Sequence, residues 1–142
     1  MLNILVPVDG SDNALRAVRH VASSESTCRE AGEIFLLNVQ PPVASGVVRM
    51  FLSPSDLKGY YQEEGEKALA AAREVLEKAG GTFQAEVRVG ELGETIARYA
   101  REKGCGLIAI GTRGLGAVGN MLLGSVATKV ISLSEVPVLL VK

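Results

Sequence analysis

Tryptophan is absent from the 142-residue chain, and three Tyr and three Phe are its other aromatics. Its core must therefore be aliphatic. An excess of one charge is missing too, since 15 Lys and Arg against 16 Asp and Glu leave a net charge of −1. Nucleic-acid and membrane-surface binders need a basic footprint, so neither class of partner is expected. The two cysteines, Cys28 and Cys105, lack CxxC spacing and a neighbouring His, and they read as free thiols of a reducing compartment. The first apolar run, Leu2 to Val8, ends in Asp-Gly and is too short to span a bilayer. No charged segment followed by an apolar one opens the chain, so a cytoplasmic protein is expected. Histidine occurs once, as His20, a surface or boundary residue beside the apolar stripe of the first helix. No His/Cys/Asp cluster has metal-ligand spacing, and no Ser has an evident His partner. No catalytic residue can be nominated.

What the chain has is an alternation of short apolar runs with helical periods. Its length suits one domain, residues 1–142, burying roughly two-thirds of its unfolded surface. Leu2–Val8 reads as a buried parallel strand, and Ser11 or Asp12 caps a helix with the stripe Ala14, Leu15, Val18, Val21 and Ala22. Ile34–Val39 is a second strand, closed by Pro41-Pro42 and followed by a polar, small-residue loop to about Pro54. A helix from Ser55 to Lys78 stops at Gly80-Gly81, and its Glu63, Glu64 and Glu66 read as a solvated face. Phe83, Ala85, Val87 and Val89 alternate with polar residues, which places a third strand near a sheet edge. Leu92, Ile96, Tyr99 and Ala100 mark a helix, Leu107–Ile110 a fourth strand, Ser125 to about Leu133 a helix, and Val138–Val141 a last strand. Five strands alternating with helices imply a doubly wound, mostly parallel sheet with helices on both faces, Rossmann-like. The strand order is not legible.

Ligands of such sheets bind beyond the carboxyl ends of the strands. Two ends carry suitable residues: Pro7-Val8-Asp9-Gly10-Ser11, and the glycine-rich segment from Gly111-Thr112-Arg113-Gly114 to Gly124-Ser125-Val126. Three glycine patterns compete for the second. Gly114-x-Gly116-x-x-Gly119 has dinucleotide spacing, but the acidic residue at the required distance, Glu135, precedes the next strand instead of ending it. Gly119 to Ser125 resembles a P-loop with Ser125 in place of the phosphate-binding Lys, which removes the mechanism. The third pattern is Gly111-x-x-Gly114, nine residues, then Gly124-Ser125. Glycines there admit a bulky anion close to the backbone, and a helix N-terminus at Gly124, Ser125 and Val126 favours phosphate. Ser125 can donate its hydroxyl to a phosphate or act as a plain N-cap.

The segment GTRGLGAVGNMLLGSVATKVI closely resembles the ATP-binding loop of universal stress proteins. ILVPVDGS, LLNV and VPVLLVK match that family in the same order along the chain. The resemblance implies an adenine nucleotide alpha hydrolase-like fold, ATP with Mg²⁺ as ligand, and a homodimer formed through the C-terminal strand. It implies a stress-responsive regulatory or binding module. The alternatives are a slow ATPase or phosphoryl- or adenylyl-transfer enzyme in the same pocket, and a nucleotide-free dimerisation scaffold. By the same resemblance Pro7, Val8 and Asp9 contact adenosine, and the Val39 backbone reads the adenine edge. Asp9 has the alternative of capping the first helix. Arg113, where the family often has His, is a candidate fork donor to phosphate. Asn38 likewise replaces a frequent His.

Overall fold

The computed structural model describes residues 2–23, 31–43, 46–114 and 122–142. The elements follow as β1 (Leu2–Pro7), α1 (Asp12–Ser23), β2 (Ala31–Gln40), α2 (Gly46–Phe51), α3 (Pro54–Ala79), β3 (Phe83–Val89), α4 (Leu92–Glu102), β4 (Leu107–Gly111), α5 (Ser125–Leu133) and β5 (Val138–Val141). Cys28 lies outside the described residues.

The strands form one parallel sheet in the order β3-β2-β1-β4-β5. β1 is central and its Ile4, Leu5 and Val6 are fully buried, as an uninterrupted aliphatic run requires. Successive side chains point to opposite faces and so feed two cores. Ile4, Val6, Val8 and Leu36 pack with Val18 of α1 and Leu69, Ala72 and Leu76 of α3. Leu5, Leu37, Ile108 and Ile110 pack on the other face with Ile96 and Tyr99 of α4 and Val130 of α5. β3 is an edge strand, as its alternation predicts. On its wet face Arg88 lies 4.6 Å over the Tyr99 ring and pairs with Glu86 and Glu102. Burial above all raises the Tyr99 phenol above its ordinary pKa.

α3 begins with a full capping box, Ser53 with Asp56, and Pro54 in its first turn. It ends at Gly80, whose φ of 74° is the left-handed conformation that glycine adopts without strain. One segment departs from the sequence reading. Residues 46–51, expected as loop, form the short helix α2. Its Val47, Met50 and Phe51 are exposed, and its 6 residues are too short a run for a helical period to be read from them. No helix among the described residues is long and apolar enough to cross a membrane.

Candidate functional site

The chain runs outward from β1 to one side of the sheet and returns through β4 on the other. The strand order therefore reverses between β1 and β4, and a crevice opens beyond their carboxyl ends. After Pro7 the backbone is tied across to β2 by Val8 N donating to Leu37 O at 2.8 Å. Asp9 Oδ1 accepts from Ser11 N at 2.9 Å and braces the turn, while Gly10 takes a φ of 87°. The cap of α1 is Ser11, whose Oγ accepts from Ala14 N at 3.1 Å. Asp9 thus shapes the turn before the helix instead of capping it, and stands half-buried in the crevice wall.

The β4 end is held by a residue that sequence reasoning missed. Asn13 Oδ1 accepts from Arg113 N at 2.7 Å, and its Nδ2 donates to Val141 O at 3.3 Å, so one side chain on α1 pins the glycine-bearing loop and β5 together. Asn13 sits among α1 residues that look like ordinary first-turn polar positions, and nothing in a linear reading distinguishes it. The loop glycines serve this close packing. A Cβ on Gly111 would lie 2.5 Å from Asn13 Oδ1, and one on Gly114 would collide with Asp9 Oδ2. Neither glycine adopts positive φ, so close approach and not a left-handed turn is what demands them.

Gly124 closes the same loop. Its N–H donates to Thr112 O at 2.6 Å, and a Cβ there would stand 3.3 Å from that oxygen. Gly124 is the N-cap of α5 and offers no side chain to the first turn. Ser125 is accordingly the first helical residue and does not serve as the cap. The first turn of α5, Gly124 to Ala127, lines the crevice without a side-chain cap on its N–H groups.

The crevice is a cavity of about 630 Å³, within the range typical of small-molecule and cofactor sites. Every expected site residue lines it. Pro7, Val8 and Asp9 come from the end of β1 and Val39 from β2. Gly111, Arg113 and Gly114 follow β4, and Gly124, Ser125 and Val126 open α5. The cavity also takes in Asn38, Gln40 and, from α3, Glu64, Lys67 and Ala68. Glu64 thus faces the cavity rather than forming part of a wholly solvated face. Lys67 Nζ pairs with Glu64 at 3.3 Å and Glu63 at 3.6 Å, and the hydrogen bond and charge of Glu64 raise its ammonium above the ordinary pKa. No sequence signal announces this wall, because it depends on how α3 lies across the sheet.

At the end of β3 the next helix start is capped, and its first residue, Leu92, also lines the cavity. Glu91, after β3, spends both carboxylate oxygens capping α4, on Gly93 N and Glu94 N. Glu135, the acidic residue of the dinucleotide pattern, lies in a separate 340 Å³ cavity with Arg101 and Cys105. Gly116 and Gly119 of that pattern lie outside the described residues. Burial pushes the Cys105 thiol up to about 11, far from a nucleophilic thiolate at neutral pH. Among the described residues no three His, Cys, Asp or Glu side chains gather as a metal site.

Comparison with known proteins places this geometry. The model of the universal stress protein family matches residues 1–142. A universal stress protein of Methanocaldococcus jannaschii, MJ0531, is 33% identical over 140 residues, covering 98% of this chain and 81% of its own. The structure of MJ0577 from the same organism superposes with a TM-score of 0.83 at 31% identity, covering 99% of this chain and 95% of that one. The universal stress protein of Archaeoglobus fulgidus in complex with dAMP superposes with a TM-score of 0.68 at 26% identity, covering 100% and 98%. The family model's match over residues 1–142 and the 33% identity to MJ0531 agree, and the chain belongs to the universal stress protein family.

Proposed function

We propose that the cavity holds an adenine nucleotide, ATP in preference to others, and that the protein acts as a homodimeric, stress-responsive binding module. The base lies against Val39, the ribose near Asp9, and the phosphates at Gly111, Gly114 and the α5 N-terminus with Arg113 as a fork donor. The observation that carries the reading is the α5 start. A helix N-terminus without a side-chain cap opens onto a cavity at the switch point, where backbone N–H groups and the helix dipole favour an anion. A related protein of the same fold was crystallised with dAMP, which supports a nucleotide as the anion. Mg²⁺ fits as a passenger of the phosphates, held by them and by water, because the cavity supplies Asp9 and Glu64 but no cage of carboxylates. Among the described residues Asp9 is engaged in bracing the turn after β1 and Glu64 in its pair with Lys67, which supports binding over turnover.

The dimer rests on β5. It pairs with β4 along one edge, and nothing among the described residues pairs its other edge. Leu140 on β5 and Ile131 on α5 are exposed apolar side chains of that end of the molecule. Pairing with a second copy across a two-fold axis would cover an edge that is otherwise an aggregation hazard. Calorimetric titration tests the ligand: ATP should bind more tightly than GTP, and absence of binding by both would refute the nucleotide reading. Light scattering at micromolar concentration tests the dimer: Leu140→Pro should give monomer or aggregate, and a well-folded wild-type monomer would refute it.

A further inference from the structure

At the carboxyl end of β2, residues two apart share a face of the strand. Asn38 and Gln40 there form a relay with β1. Asn38, which is buried, donates from Nδ2 to the Val8 carbonyl oxygen at 2.8 Å. Gln40 Nε2 donates to Asn38 Oδ1 at 2.6 Å. The oxygen and nitrogen of a carboxamide are nearly alike in shape, and only the hydrogen-bond network tells them apart. Here the network leaves one solution. A carbonyl oxygen can only accept, so Asn38 must turn its amino group to Val8. Its oxygen then faces Gln40, which must answer with its own amino group. Gln40 Oε1 is left as an acceptor, and no described residue donates to it. Gln40 is half-buried and lines the large cavity beside Val39.

An acceptor of fixed polarity separates two kinds of purine. The exocyclic amine of adenine donates to it. The exocyclic oxygen of hypoxanthine or guanine is a second acceptor and is repelled. The same chemistry lets a glutamine carboxamide read adenine in nucleic acids. Resting on the reading of this cavity as a nucleotide site, we propose that Gln40 selects the base through a hydrogen bond from the adenine amine to Oε1, and that Asn38 is the positioning residue that locks its polarity. Selection then resides in a side chain of this sequence and adds to any contact made by the Val39 backbone.

ATP and inosine triphosphate test this most cleanly, because they differ at the amine edge and share every phosphate contact. Calorimetric titration of both is run on wild type, Gln40→Leu and Asn38→Leu. Wild type should prefer ATP, and Gln40→Leu should reduce that preference about tenfold, the worth of one hydrogen bond, by weakening ATP. Asn38→Leu frees Gln40 to turn its amino group to the base, so inosine triphosphate should bind more tightly than it does to wild type. A merely structural Asn38 would weaken both nucleotides alike, and that result overturns its positioning role. Should Asn38→Leu fail to fold, the half-exposed Gln40→Leu decides the matter alone. A wild-type preference undiminished in Gln40→Leu, or absent from the start, overturns the inference and leaves the nucleotide site standing. Failure of wild type to bind either nucleotide overturns both.

Discussion

Every helix begins with backbone N–H groups that lack partners within the helix. At α3 and α4 the sequence supplies those partners. Ser53 and Asp56 form a reciprocal box, and Glu91 covers two N–H groups with its two carboxylate oxygens. At α5 the N-cap is Gly124, with no side chain to give. The first two helix starts are finished by the chain itself, that of α3 at exposed positions and that of α4 beside the cavity, which Leu92 lines. The third is unfinished, and it opens onto the cavity between β1 and β4. Ser11 closes α1 at the switch point as well, so α5 stands out there as the start whose first turn receives no side-chain cap.

That contrast can be broken from either side. The largest effect is expected at the open start. Gly124→Val places a Cβ within 3.3 Å of Thr112 O and two methyls at the mouth of the cradle. Loss of one charge-assisted hydrogen bond, about 1.5–3 kcal/mol, predicts at least a tenfold weaker ATP Kd by calorimetry. Thermal unfolding without nucleotide measures the separate cost of crowding Thr112 O, while the ATP-induced rise in Tm disappears. Unchanged ATP affinity would put the phosphates elsewhere. Next comes the closed start of α4. Glu91→Ala leaves Gly93 N and Glu94 N without their carboxylate and should destabilise the protein by about 1 kcal/mol. In a domain of this size that lowers Tm by about 3 °C, with ATP affinity unchanged. The smallest effect is expected at Ser53→Ala. Its capping box is fully exposed, and about 0.5 kcal/mol should be lost, again without a change in ATP affinity. Equal losses of affinity in all three variants would mean that caps act through global stability, and the distinction would dissolve.

The same contrast shows what a linear sequence discloses. β1, β2 and β4 are legible because strands buried on both faces read as unbroken aliphatic runs. β3 is legible as an edge because its polar alternation has only one dry side. α2 is not legible, since a six-residue helix with Val47, Met50 and Phe51 exposed offers too short a pattern for a helical period to be read. The strand order escapes as well, because β1 carries no mark of which neighbours it will take. At the site, the two strand ends and the glycines of the α5 approach are visible in advance. The reason for the glycines is not. Gly111 and Gly114 look like room for an anion, and they also make room for Asn13 and Asp9. Asn13, Lys67 and the Asn38–Gln40 relay depend on contacts between segments distant in sequence or on the polarity of a partner carbonyl, which spacing does not encode.

Backbone amide resonances during an ATP titration, read by ¹H–¹⁵N correlation spectra, test the central claim most directly. In the free protein the amides of Ser125 and Val126 have no side-chain cap, whereas those of Asp56, Gly93 and Glu94 already bond to Ser53 and Glu91. ATP should move the Ser125 and Val126 resonances strongly and leave Asp56, whose exposed helix start lies outside the cavity lining, in place. Binding of ATP with the α5 amides unmoved would contradict the account.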